Sequence, residues 1–121
     1  MRSQIKFKEN IPIYVQIADD VKSQIIADAI SEGDKLSSIR EYSVKYSVTA
    51  LTMQRAFALL ETDGIITTKK GVGSFVMEGI QENLRTSLVR EHVQAFIDQM
   101  TRMGITPEEI MSFVKEGLSN G

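Results

Sequence analysis

Between residues 12 and 77 the apolar positions fall into blocks whose spacing switches from helical to strand-like. Tyr14, Ile17, Ala18, Val21 and Ile25 recur every three or four residues. They predict a helix opened by Pro12, whose missing amide does no harm in a first turn. Asp19, Asp20, Lys22 and Asp28 fall on its other face and are expected in water, and the helix fades near residues 27–29. Residues 2–11 carry only scattered apolar groups and read as a loose arm. A turn at Glu32-Gly33-Asp34 leads into Lys35-Leu36, room for a very short strand at most. Ser38 and Glu41 have the spacing of a capping box, in which each satisfies a backbone amide of the other's residue. The short helix they open takes its inward contacts from Tyr42 or Ser43, Val44 and Tyr46.

After a turn at Ser47-Val48 comes the stretch to which the rest of the chain fits, VTALTMQRAFALLETDG, residues 48–64. Met53, Ala56, Phe57 and Leu60 share one helical face, Thr49 stands at the cap position, and Gly64 follows where a helix ends in a left-handed residue. The opposite face carries Ala50, Leu51, Thr52, Gln54 and Arg55. Apart from Leu51 these are small or hydrogen-bonding groups, as needed where the front of a helix enters a DNA major groove. Taken alone, such a helix is a solvated surface helix. Its neighbours change that reading. Ile65-Ile66-Thr67-Thr68 predicts a strand, Lys69-Lys70-Gly71-Val72-Gly73 a turn, and Ser74-Phe75-Val76-Met77 the return strand. Two glycines at the tip permit a tight turn and close approach of backbone to a partner. The order is helix, turn, helix, wing.

Beyond residue 79 the pattern is helical again. Val89, Val93, Phe96, Met100 and Met103 are spaced four, three, four and three, a seam suited to another helix, with Leu84, Leu88 and Ile97 beside it. Gly104 ends this helix, and Thr106-Pro107-Glu108-Glu109 starts a second whose stripe is Ile110, Val114 and Leu118. Two helices of this size do not bury both faces against each other and stand alone. Either they pack back on the winged helix of their own subunit, or they meet a second copy. Two half-sites need two reading heads, which favours the second copy. The expected fold is therefore α+β and mainly helical: a winged helix-turn-helix of three helices plus a β-hairpin wing, followed by a short two-helix dimerisation tail. The expected domains are 1–78 and 79–121.

Composition changes this picture little. The chain has 121 residues, 42% hydrophobic and 25% charged, with no cysteine and hence no disulfide framework. No apolar run approaches the roughly 20 residues of a membrane span, and MRSQIKFKEN lacks a signal-peptide core, so a cytoplasmic, non-membrane protein is expected. The net charge of −2 does not advertise a nucleic-acid binder; its distribution matters more, and a modest basic excess falls in the half that holds the helix-turn-helix and wing. Residues 35–77 hold Lys35, Arg40, Lys45, Arg55, Lys69 and Lys70 against Glu41, Glu61 and Asp63, whereas residues 79–121 carry more acids than bases.

Four blocks in order, PIYVQIADDVKSQI, GDKLSSIRE, VTALTMQRAFALLETDGII and KKGVGSFV, resemble the N-terminal winged helix of the GntR family of bacterial transcription regulators. The resemblance covers about residues 11–77 of the chain. It implies a dimeric repressor whose central helix reads the major groove and whose wing reaches the minor groove. Arg40 matches the family's DNA-contacting arginine near the start of the second helix, Thr49 and Thr52 match polar positions of the reading helix, and Gly71 and Gly73 match the glycines of the wing. Ser37 replaces a usual proline, Ile39 a usual glutamate and Ala50 an arginine, while Gln54 also stands where arginine is common and Val72 where a polar residue is common. These departures imply fewer charged base contacts than in a typical member. The short helical tail resembles the YtrA subfamily, which lacks the large effector domain of its relatives.

No catalytic set is found in the sequence. His92, the single histidine, lies at the edge of the apolar seam and has no second histidine or cysteine to complete a metal site. Ser37 and Ser38 have no accompanying base, and capping accounts for Ser38. Gly71-x-Gly73 sits in a hairpin rather than between strand and helix, so it is no phosphate-binding fingerprint. Glu108-Glu109 is the acid pair that a helix N-terminus favours. The sequence thus predicts no enzyme, metal or cofactor, and assigns no small-molecule effector. It predicts a sequence-specific regulator, a repressor that binds an inverted-repeat operator in double-stranded DNA as a homodimer. The DNA-contacting set is Ser38, Arg40, Thr49, Ala50, Leu51, Thr52, Gln54, Arg55, Lys69, Lys70, Gly71 and Gly73. The dimerisation set is Leu88, Val89, Val93, Phe96, Ile97, Met100, Met103, Ile110 and Val114. The alternative is a winged-helix module for protein–protein contact without DNA binding.

Overall fold

A computed structural model describes residues 6–121 and gives five helices and one hairpin. In chain order these are α1 (Ile13–Ile26), α2 (Ile39–Tyr46), α3 (Ala50–Thr62), β1 (Ile66–Lys69), β2 (Gly73–Val76), α4 (Gln81–Arg102) and α5 (Pro107–Asn120). The chain divides into two compact units between Leu84 and Arg85. That point lies beyond the 78/79 boundary expected from the sequence, because Ile80 and Leu84 still pack on the core of the first unit. The Glu32 carboxylate accepts from the Gln81 amide at 2.8 Å and so caps the start of α4. Amides of Gln81 and Gly79 hold the Glu32 carboxyl below the usual carboxylate range.

The core of the first unit is the meeting of α1, α2, α3 and the hairpin. Ile17, Ala18, Val21 and Ile25 of α1 meet Met53, Ala56, Phe57 and Leu60 of α3, all of them buried. Tyr14, placed in the same stripe by its spacing, is only half-buried. Pro12 flanks α1 as its cap residue instead of lying inside it. The Pro12 carbonyl accepts the Val15 and Gln16 amides. Residues 2–5 of the expected loose arm lie outside the described residues. The rest of that arm is tied down: Gln16 accepts from the Lys8 amide at 2.8 Å and donates to the carbonyls of Lys8 and Ile11.

Two further expectations are corrected in the helices. Val44 of α2 is 70% exposed, not inward; Tyr42 and Tyr46, one turn apart, supply the buried face. Val44 stands two residues from each, on the far side of a helix with 3.6 residues per turn. Asp20 does not simply face water. Its carboxylate accepts from the Tyr46 hydroxyl at 2.7 Å and from Gln24 at 3.0 Å. Burial, with Asp20 as acceptor, pushes the Tyr46 phenol well above its ordinary value and keeps it a donor.

The hairpin is antiparallel, with Ile66 opposite Val76, Thr67 opposite Phe75, Thr68 opposite Ser74 and Lys69 opposite Gly73. The expected short strand at Lys35-Leu36 is one bridge, Lys35 to Phe75, flanked by bonds from the Leu36 amide to the Ser74 carbonyl and from the Val76 amide to the Asp34 carbonyl. A third chain segment therefore edges the wing. In the second unit, Thr106 and Glu109 form the expected capping box of α5, and Gly104 ends α4 with φ +81°.

Leu60 is fully buried, so Leu60→Ala is expected to lower unfolding free energy by about 2–5 kcal/mol. Val44→Ala is expected to change it by less than about 0.5 kcal/mol, as at an ordinary surface position. Urea unfolding followed by circular dichroism checks both. A large loss for Val44→Ala would restore an inward role for that side chain.

Candidate nucleic-acid interface

Two caps fix the starts of the two helices that carry most of the interface candidates. Ser38 Oγ accepts from the Glu41 amide at 3.0 Å, and Glu41 accepts from the Ser38 amide at 3.0 Å. Those contacts hold the Glu41 carboxyl below the usual carboxylate range, so it stays ionised. They use the acceptor side of the Ser38 hydroxyl, and the same hydroxyl hydrogen-bonds the Glu41 carboxylate. Arg40 follows in the first turn of α2, exposed.

The turn into α3 depends on Ser47, which sits in the left-handed region at φ 57° and reverses the chain in a single residue. The Val48 amide closes back on the Ser43 carbonyl at 2.9 Å. Thr49 then caps α3, accepting from the Thr52 amide at 3.2 Å, and its hydroxyl donates to Thr52 Oγ1 at 3.1 Å. Thr49 and Thr52 thus engage each other, and Thr52 is half-buried. Ala50, Leu51, Gln54 and Arg55 are left exposed at the front of α3, while Met53, Ala56 and Phe57 anchor its back.

In the wing, the Val72 amide bonds the Lys69 carbonyl at 2.9 Å, and Gly71 takes φ +77° as the tight turn requires. Lys69 and Lys70 are exposed at the tip; the Lys69 ammonium lies 5.0 Å from the centre of the Phe75 ring. Val72 stands 55% exposed at the same tip. Thr68 donates to Glu61 at 2.9 Å and ties the hairpin to α3. The salt bridge found among the described residues is Lys22 to Asp63 at 3.1 Å, away from this set. Arg40, Arg55, Lys69 and Lys70 are therefore not neutralised by carboxylates there.

The structure thus brings Ser38, Arg40, Ala50, Leu51, Gln54, Arg55, Lys69 and Lys70 to accessible positions around the helix-turn-helix and its wing. It gives Thr49 a capping task and Gly71 a turn task. One feature was missed from the sequence. Lys35 lies against Gly73, so close that a Cβ there would stand 2.7 Å from Lys35 Cε. Only the basic character of Lys35 and its position before LSSIRE hinted at it.

In the second unit none of the dimerisation set is fully buried. Leu88, Met100 and Ile110 are half-buried, and Val89, Val93, Phe96, Ile97, Met103 and Val114 are exposed, Phe96 by 39%. Met111 and Phe113 of α5 are exposed as well and were missed, since the stripe read from the sequence followed Ile110, Val114 and Leu118. Phe96, Met100, Met103, Ile105, Ile110, Phe113 and Val114 line an apolar hollow of about 450 Å³ between α4 and α5. Among the described residues no group of acidic or histidine side chains converges as a metal site would. No described helix is long and apolar enough to cross a membrane.

Comparison with known proteins agrees with this geometry. The sequence pattern of the gntR family of bacterial regulatory proteins matches residues 13–76, from the start of α1 to the end of the wing. The chain is 35% identical over 118 residues to the HTH-type transcriptional regulator YhcF of Bacillus subtilis, spanning 96% of this chain and 98% of that one. It is 28% identical over 116 residues to the HTH-type transcriptional repressor YtrA of the same organism, spanning 93% and 89%. A GntR family transcriptional regulator from Listeria monocytogenes superposes with a TM-score of 0.83 at 36% identity, covering 91% of this chain and 98% of that one. The chain therefore belongs to the GntR family and is a DNA-binding transcription regulator with a winged-helix reading head.

Proposed function

We propose that the chain is a repressor that binds an inverted-repeat operator as a homodimer, in the cytoplasm and without catalysis or a cofactor of its own. The observation that carries this reading is the division of labour on α3. One face is fixed in the core, and the exposed front is flanked by unneutralised cations on α2 and the wing. Gln54 is the base reader, an amide able to make a bidentate pair with adenine in the major groove. Leu51 offers an apolar contact to a thymine methyl. Ser38, Arg40, Arg55, Lys69 and Lys70 meet phosphates and set register, while Gly71 and Val72 bring the wing tip to the minor groove. Repression is supported by the name of the relative YtrA.

Support for the homodimer comes from the second unit. It presents Val89, Val93, Phe96, Phe113 and Leu118 to solvent around an apolar hollow, a face that soluble monomers rarely leave open. A second copy covers that face and supplies the second reading head for a two-fold operator.

Gln54→Ala is expected to change sequence preference at one base position by about 1–3 kcal/mol, whereas Lys70→Ala weakens all duplexes alike. Competition gel shifts with variant duplexes read both. A uniform loss for both mutants removes Gln54 from base reading, and no binding by the parent chain favours the protein-contact alternative.

Phe96→Asp is expected to place an unpaired charge in a dry interface, which costs several kcal/mol. The first unit has its own core, so the winged helix stays folded. Sedimentation should show monomers, circular dichroism an intact fold, and a gel shift most of the affinity for a palindrome lost. A dimer that survives Phe96→Asp overturns the role given to the tail.

A further inference from the structure

We infer that Lys35 is a further DNA-contacting residue, which lies along the wing and delivers its ammonium to the phosphate that passes between the wing and the start of α2. The inference rests on the DNA-binding reading and deepens it. Lys35 is the residue through which the third chain segment pairs with the wing, opposite Phe75. Its stem runs back over Gly73 of β2, while the side chain as a whole stays exposed. A Cβ built on Gly73 would meet Lys35 Cε at 2.7 Å, Nζ at 3.6 Å and Cδ at 3.7 Å. A side chain at position 73 would have to displace the flexible end of that stem, and it is the φ of +143° that favours glycine there. The glycine that the sequence offers for approach of a partner is already occupied, and its occupant is a lysine of the same chain.

The place to which Lys35 brings its charge is a groove of about 360 Å³. Val72, Gly73 and Ser74 form one wall and Ser37, Ser38 and Ile39 the other. The second wall is the start of α2, where the partial positive charge of a helix N-terminus also favours an oxygen anion. Glu41 lines the same groove, and its ionised carboxylate disfavours a small free anion settling there. A phosphate held by the rest of a duplex is different. α3 and the wing tip fix its position, and the lysine adds one point charge to it. The stem lying on the bare backbone of Gly73 limits the rotamers that the lysine loses on binding.

The test is a salt series with the full chain on one operator duplex and several unrelated ones, comparing the parent with Lys35→Met and Lys35→Arg. Methionine keeps most of the stem and removes the charge; arginine keeps the charge. Each phosphate contact contributes about 0.9 to the slope of log K against log salt. Loss of one contact in each of two subunits should make the drop in affinity between 50 and 200 mM salt smaller by roughly tenfold. Lys35→Met should show this on every duplex with an unchanged thermal midpoint, and Lys35→Arg should keep the parent slope. A steep parent slope unchanged in Lys35→Met overturns the inference and leaves DNA binding standing. A slope that falls equally in Lys35→Arg assigns the effect to wing packing and overturns the phosphate contact. A flat parent slope overturns both.

Discussion

Four apolar side chains on one face of α3 must reach the core together, and most of the molecule's geometry follows from that requirement. Met53, Ala56, Phe57 and Leu60 are buried against α1, which fixes the rotation of α3 about its axis. With that rotation fixed, Ala50, Leu51, Gln54 and Arg55 have only the outside left to them. The Thr49 cap sets where the helix begins, so these exposed groups come from its first turns and not its middle. Packing thus decides which residues face outward, and capping decides how far forward they stand. The same logic runs through α2, where Tyr42 and Tyr46 hold the inner side and the Ser38–Glu41 box presents Arg40 at the entrance.

The wing is held by a second set of constraints. Its hairpin has only four residues in each strand, too little to be stable in isolation. Three attachments hold it in place: the burial of Ile66 and Val76, the Thr68–Glu61 bond to α3, and the bonds along the Asp34–Leu36 edge. Lys35 belongs to that edge, so the segment that steadies the wing also carries a charge to its flank. Structural support and nucleic-acid contact are combined in one short stretch between α1 and α2.

Features set by neighbours in sequence were legible before any coordinates. The capping boxes at Ser38–Glu41 and Thr106–Glu109, the Thr49 cap, the Gly64 stop and the turn glycine Gly71 all act within four residues of their partners. The burial periods of α1 and α3 were legible for the same reason. What escaped depends on contacts distant in the chain. Asp20 looked solvated because its partner Tyr46 is 26 residues away, and Val44 looked inward because a short helix gives too few turns to fix a face. Gln16 holding Lys8 and Ile11, and Lys35 crossing Gly73, are likewise invisible to periodicity. For the interface, residue types and their order were readable, but not which hydroxyls were already engaged, as Thr49 and Thr52 are.

The central claim is that two copies of this reading head sit on one DNA site through α3 and the wing. Hydroxyl-radical footprinting of the protein on its own upstream DNA tests it most directly. The account predicts two protected patches related by a two-fold axis, about one helical turn or a multiple of it apart on one face of the duplex. It also predicts that the base sequence within them is an inverted repeat. A single protected patch with no symmetry, or no protection by a folded protein at low salt, would contradict it.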